Sequence, residues 1–370
     1  MSRKRKQIAD IIDNFVGGLV MSEKKWRDNI RKVVPYTPGE QPKDLDVIKL
    51  NTNENPYGPS KKVESVVSDP DSLRLYPDPA AGDLVTAIAE YHGVDPAQVF
   101  VGVGSDDVLA MSFMTFFNSN KPILFPDITY SLYDVWADLF RIPYETPALT
   151  KDFRIDPADY RRPNGGIVFP NPNAPTGICE SVEFVEDIVK DNPDSIVIID
   201  EAYIDFGGET VLPLIDKYDN LVVTRTFSKS RSMAGLRIGY AISNKTLIKA
   251  LNDVKYSFNS YTMNRPSIML GIESIKDDEY FKETIGKIIN TRERFVNEIE
   301  KLGFTCLKSS ANFVFATHKS IPAKEILDEA RKNNIYFRYF NKPRIDNYLR
   351  ISIGTDDEMD KCIEFLKSLV

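Results

Sequence analysis

The sequence predicts an α/β protein: a mostly parallel sheet covered by helices, followed by a smaller α+β part. Three observations carry this. Short, wholly apolar runs recur between helix-like segments from about Ser60 onward, as strands buried on both faces require. Each run is bounded by turn residues or charges. Past about Ser243 the pattern changes to long charged helices and then short strands.

The elements follow in order. Asp83 to Tyr91 has apolar residues at helical spacing. Val99 to Val103 reads as a strand, then Gly104-Ser105-Asp106-Asp107 opens an apolar helix running to Phe117. Pro122 to Phe125, Gly166 to Phe169, Ser195 to Ile199 and Leu221 to Val223 read as further buried strands. Asp277 to Leu302 is a charged helix, and strands are expected at Asn312 to Thr317, Tyr336 to Tyr339 and Leu349 to Ile353. The expected organisation is an N-terminal extension over 1–30, a large ligand-binding domain over 61–269, and a small domain built from 31–60 and 270–370.

Composition bounds the function. A chain of 370 residues, 42% hydrophobic and 27% charged, has the composition of a soluble globular protein. A net charge of −7 argues against general nucleic-acid binding. Cys179, Cys306 and Cys362 are far apart, without metal-site spacing, which fits reduced thiols in the cytoplasm. With His92 and His318 as its two histidines, the chain offers no His-rich metal site; His318 reads as a surface residue after a strand. No apolar run is long enough for a transmembrane helix. Arg3 to Lys6, followed by Ile8, Ile11, Ile12, Phe15 and Val16 at helical spacing, reads as an amphipathic helix or a start-site extension.

In an open α/β sheet, ligands collect at the carboxyl ends of the strands. Four motifs sit at such ends. Gly102 to Asp107 (GVGSDD) joins a strand to a helix; its glycines permit a tight turn, and the helix-start amides can hold a phosphate. Asn171 to Gly177 (NPNAPTG) is a proline-stiffened loop, either a plain rigid turn or a fixed platform that presents an amide to a planar ligand. Asp200 ends the strand Ser195 to Ile199, where a carboxylate caps the next turn or pairs with a protonated pyridine nitrogen. Ser228-Lys229 follows Leu221 to Val223, with Arg237 beyond. An ammonium there is costly to bury without a task, and a Schiff base with an aldehyde such as pyridoxal phosphate (PLP) is one that fits.

With LNTNENPYGPS, LYPDP, PDITY, IDEAYIDF, RTFSKSRSMAGLRIGY and NYLRISIGT, these motifs resemble the fold-type I, PLP-dependent aminotransferases. More narrowly, the chain is similar to the histidinol-phosphate aminotransferase family from about Val33 to its C-terminus. The resemblance implies that Lys229 holds PLP and then shuttles the substrate's Cα proton. It implies that Asp200 pairs with the ring nitrogen, Tyr203 hydrogen-bonds the ring oxygen and Tyr130 stacks on the ring face. Ser105, Asp106, Ser228 and Arg237 would hold the phosphate. Tyr76 would reach the PLP phosphate of a neighbouring subunit, which implies a homodimer. Arg338 and Arg350 would meet the substrate anion, and Tyr36 and Asn53-Glu54 would close the site. The implied reaction is transamination of histidinol phosphate with glutamate and 2-oxoglutarate, in histidine biosynthesis.

Two positions depart from the family pattern. Ala174 stands where an Asn commonly precedes Pro-Thr-Gly, so the ring-oxygen contact is expected from Asn173 or from Tyr203 alone. Phe258 stands where a tyrosine is expected, and Tyr256 or Tyr261 would serve instead. The alternative activities on this scaffold are an aromatic amino acid aminotransferase and a threonine-phosphate decarboxylase. A PLP-sensing transcriptional regulator would need an added DNA-binding domain.

Overall fold

The apolar runs pair as strands. The computed structural model describes residues 31–42, 46–64, 66 and 70–370, so the extension read over residues 1–30 lies outside the described residues. After β1 (Ile48–Leu50) come β2 (Val99–Gly102), β3 (Ile123–Leu124), β4 (Tyr144–Glu145), β5 (Ile167–Pro170), β6 (Val197–Asp200), β7 (Leu221–Thr226) and β8 (Gly239–Ser243). These last seven form one sheet in the order β2-β8-β7-β6-β5-β3-β4. The pairings from β4 through β7 are parallel, and β8 runs antiparallel to both its neighbours.

Alternation along each strand places apolar side chains on both faces. Ile167, Phe169, Val197, Ile199, Leu221 and Val223 share a cluster with Leu84 and Ile88 of α1 (Gly82–His92). Val168, Ile198 and Val222 pack on the other face. There they meet Val108, Leu109 and Phe113 of α2 (Ser105–Phe116), Tyr133 and Trp136 of α3 (Tyr133–Phe140), and Ile248 and Leu251 of a later helix. On the first face, α4 (Val182–Asp191) starts at Ser181, whose hydroxyl accepts from the Phe184 amide, and buries Val185, Ile188 and Val189. The later helices are α5 (Lys245–Phe258), α6 (Arg265–Lys276), α7 (Asp278–Lys301), α8 (Ala323–Lys332) and α9 (Asp356–Leu369).

β1 belongs to a second, five-stranded sheet with β9 (Phe304–Cys306), β10 (Phe313–His318), β11 (Ile335–Tyr339) and β12 (Leu349–Ser352). Its order is β1-β11-β12-β10-β9, with β1 parallel to β11 and the other pairings antiparallel. Leu349 and Ile351 face a core shared with Ile288 and Phe295 of α7, Ile326 and Leu327 of α8, and Met359 and Leu366 of α9. Arg350, between them, faces the other way.

Two sequence expectations change. The run expected to end at Val223 continues through Thr224, Arg225 and Thr226, all buried. Polar residues hid the strand's end, and Arg225 is tolerated there because Glu201 pairs with it at 2.8 Å. His318 is not at the surface: it ends β10 and is only 4% exposed. Its Nδ1 accepts from the Ser320 and Ile321 amides, leaving Nε2 to donate to the Leu302 carbonyl at 3.0 Å.

Candidate active site

The carboxyl ends of β5, β6 and β7 open onto a cavity of about 380 Å³. Pro170, Asp200, Thr226, Ser228 and Lys229 line it from those strands, and Ser105 and Asp106 from the start of α2. Asn51, Thr52, Asn53, Arg338 and Arg350 line it from the second sheet's side, with Tyr36, Pro38 and Gly39.

One end is built to receive an anion. Gly104 has a left-handed φ of 85, and a Cβ there would sit 2.5 Å from the Arg237 guanidinium. Gly239 on β8 lets the helix start approach equally closely, since a Cβ would fall 2.3 Å from the Ser105 amide nitrogen. The amides of Ser105 and Asp106 thus open α2 beside Arg237 and Ser228. Arg237 pairs with the Asp106 carboxylate at 3.2 Å, and Asp106 also accepts from the Tyr130 hydroxyl at 2.7 Å. That bond ties the Tyr130 ring to the anion end.

The floor carries the reactive groups. After β7 the chain turns tightly, with the Ser228 amide donating to Thr226 Oγ1. Asn55 donates to the Lys229 and Ser230 carbonyls, pinning the lysine's backbone. Lys229 Nζ donates to the Thr52 carbonyl at 3.0 Å and lies 5.8 Å from the centre of the Tyr203 ring. Asp200 is 4% exposed and accepts from the Tyr133 hydroxyl at 3.2 Å, the Ala202 amide at 3.2 Å and Thr224 Oγ1 at 3.4 Å. Burial pushes its carboxyl up from the ordinary 3.8 to about 7. No lysine or arginine among the described residues forms an ion pair with it.

The far wall is cationic. Arg338 and Arg350 stand directly opposite each other on β11 and β12. Their guanidiniums lie 5.5 and 5.6 Å from the centre of the same Phe340 ring. Like charges at opposed positions repel. Neither pairs with a carboxylate among the described residues: Arg350 donates to the Asn51 carbonyl, its Nε unpartnered, and Arg338 to the Thr37 and Pro38 carbonyls. Burial lowers the Arg350 pKa. Arg338 thereby also clasps the strap containing Tyr36.

Three expected residues stand elsewhere. Asn173 does not line the cavity: its amide donates to the Ile128 carbonyl and Thr176 Oγ1 and accepts from Thr129, which leaves Ala174 to present a methyl there. The Glu54 carboxylate is held by Lys49 at 2.6 Å and by Thr52, outside the lining. Tyr76 is 79% exposed, its ring tilted against Tyr261 at 4.7 Å, and it lies away from its own chain's cavity, as do Tyr256, Phe258 and Tyr261. Sequence reasoning missed Tyr133 and Thr224 around Asp200, and the Thr52 carbonyl on Lys229. Only the closeness of Tyr133 to Tyr130, three residues earlier in the chain, hinted at a shared site.

The residues fit PLP. A buried carboxylate without a cation suits a protonated ring nitrogen, a helix start with Arg237 suits a phosphate, and Lys229 stands between them. No group of three or more His, Cys, Asp or Glu that could hold a metal occurs among the described residues.

The profile of the family described as aminotransferase class I and II matches residues 45–366. A histidinol-phosphate aminotransferase of Clostridium beijerinckii is 50% identical over 94% of this chain and 98% of its own length. The crystal structure of the histidinol-phosphate aminotransferase from Clostridium acetobutylicum superposes with a TM-score of 0.80 at 25% identity, covering 87% of this chain and 98% of that one. That of Sinorhizobium meliloti, in complex with pyridoxal-5'-phosphate, gives 0.78 at 25% identity over 87% and 91% of the two chains. The chain belongs to the class I and II aminotransferases and, within them, to the histidinol-phosphate aminotransferase family.

Proposed function

We propose that the chain catalyses PLP-dependent transamination of histidinol phosphate, with 2-oxoglutarate taking the amino group to become glutamate. The observation that carries the substrate reading is the opposed pair Arg338 and Arg350, two cations without carboxylate partners in one wall. A phosphate monoester supplies the missing charge through forked hydrogen bonds. When bound, PLP supplies an electron sink that stabilises negative charge at the substrate's Cα.

The chain's own residues do the rest. Lys229 Nζ would hold the cofactor, and its free amine would be the base that moves the proton at the substrate's Cα. Asp200 would pair with the ring nitrogen and keep it protonated. Ser105, Asp106, Ser228 and Arg237 hold the cofactor phosphate, and Tyr130 and Tyr203 bound the ring. Tyr36 and the strap to Gly39 cover the opening and exclude water. A second copy of the chain supplies Tyr76, so the working unit is a cytoplasmic homodimer. No described helix is long and apolar enough to cross a membrane.

Borohydride reduction of the PLP-loaded protein, followed by mass spectrometry, tests the centre of this reading: the adduct belongs on Lys229, and one on another lysine overturns it. Side-by-side turnover of histidinol phosphate, phenylalanine and threonine phosphate tests the substrate. Mixing Tyr76→Ala with Lys229→Ala should restore activity through hybrid dimers; a fully active monomer contradicts the shared site.

A further inference from the structure

Asn53 is buried, 1% exposed, with a left-handed φ of 56. Few non-glycine residues adopt that conformation, and asparagine is among those that tolerate it. Three contacts hold it. Its backbone N–H donates to Ser352 Oγ at 2.9 Å, the Ser352 hydroxyl donates to Asn53 Oδ1 at 2.8 Å, and Asn312 donates to its carbonyl at 3.0 Å. The amide oxygen is therefore committed to Ser352, which turns the amide nitrogen toward the cavity. There Nδ2 donates to the Tyr203 hydroxyl at 3.0 Å.

A hydroxyl that accepts from Asn53 keeps its own hydrogen for another partner. Among the described residues Tyr203's other neighbours offer no acceptor: Phe313 packs edge-on at 5.1 Å, Ala174 presents a methyl, and Lys229 Nζ lies 5.8 Å from the ring centre. Asn173, the nearby amide in sequence, is already engaged with the Ile128 carbonyl and Thr176 Oγ1. We infer that Asn53, oriented by Ser352, is a positioning residue that acts through Tyr203, aiming its hydroxyl as a donor at the cofactor's ring oxygen. This rests on the PLP reading and assigns Asn53 a task distinct from closing over substrate.

The test uses the full chain loaded with PLP. The readouts are the PLP dissociation constant and the pH at which the cofactor's absorption band shifts. Asn53→Gly deletes the amide and keeps the left-handed backbone. It should weaken PLP binding about tenfold, the worth of one hydrogen bond in a buried site. It should also move the spectral transition to higher pH, because an oxyanion that loses a donor rebinds its proton more readily. Asn53→Asp, which draws the Tyr203 hydrogen onto its own carboxylate, should do at least as much. Ser352→Ala should shift the transition in the same direction by less. In a Tyr203→Phe background, Asn53→Gly should change neither readout further. A transition that stays put in Asn53→Gly, or moves equally in both backgrounds, overturns the inference while PLP on Lys229 stands. A wild-type chain that fails to take PLP on Lys229 overturns both.

Discussion

Asp200 and Glu201 are neighbours at the end of β6, and both carboxylates are buried, yet their surroundings differ in kind. Glu201 meets the Arg225 guanidinium at 2.8 and 3.0 Å and accepts from Thr210 Oγ1 and the Val211 amide. Asp200 has two hydroxyls and one amide, and no cation. The arginines repeat the contrast. Arg225 is buried against Glu201 with Asp205 at 3.4 Å, whereas Arg350 is half-buried against the Asn51 carbonyl and the Phe313 and Phe340 rings. Burying a charge is costly unless it is paired. One pair closes its electrostatics within the chain; the others, on the cavity, are left for a ligand to complete. The difference is between charges paired inside the fold and charges open to the cavity, and it is visible without reference to any relative.

The sharpest way to draw that line is Lys229→Ala. Turnover should fall by about 10³-fold or more, the scale of a lost general base, while the melting temperature of the cofactor-free chain stays close to wild type. A large loss of stability would blur the comparison. The opposite profile is expected on the other side of β6. Glu201→Gln leaves Arg225 buried with only the more distant Asp205. It should cost about 3–5 kcal/mol of stability, as breaking a buried pair does, measurable by urea unfolding without cofactor. Glu201→Leu combined with Arg225→Met should recover part of that loss. If Asp200→Asn destabilises the free chain as much as Glu201→Gln, the distinction is wrong.

How much of this the sequence disclosed follows the same division. The strands buried on both faces were legible because only apolar runs survive there: Ile167 to Phe169 and Ser195 to Ile199 lie within or next to their observed strands. Arg225 was not legible, since a charge inside a strand makes sense only once Glu201 is known to lie across from it. His318 misled for the same reason: its buried acceptors and donors are backbone groups. In the site, Lys229 and Asp200 stood out by their position at strand ends, and the two wall arginines by the family resemblance. Asn173 was misplaced because loop residues adjacent in sequence point in different directions, and its amide ties the proline loop to Ile128 and Thr129 instead of facing the cavity.

The wall arginines give the next prediction. If both meet the substrate phosphate, Arg338→Ala forfeits roughly 2–4 kcal/mol of a charge-assisted pair, about 30- to 1000-fold in kcat/KM for histidinol phosphate. Phenylalanine, which lacks the phosphate, should lose far less. Arg338 also holds the Thr37 and Pro38 carbonyls, so a second outcome is meaningful: equal losses on both substrates assign Arg338 to the strap and favour the aromatic substrate.

The smallest effect concerns the free protein's response to pH. Asp200's folded-state pKa lies near 7, above its ordinary 3.8, because burial disfavours the ionised form. A group with a raised folded pKa contributes stability that is fully present below its unfolded pKa and is lost as pH climbs through the folded value. The cofactor-free chain should therefore lose stability from Asp200 between about pH 4 and pH 7. Asp200→Asn removes that ionisation, so its melting temperature should exceed wild type by more at pH 8 than at pH 5. With PLP bound the sign should reverse: the protonated ring nitrogen then compensates the carboxylate, and the amide cannot replace it. Glu201→Gln, whose partner is internal, should be destabilised with or without cofactor. Melting curves at the two pH values, with and without PLP, separate the open charge from the closed one. Asp200→Asn that is less stable than wild type without PLP at pH 8 would mean that Asp200, too, is held by the fold rather than waiting on a ligand.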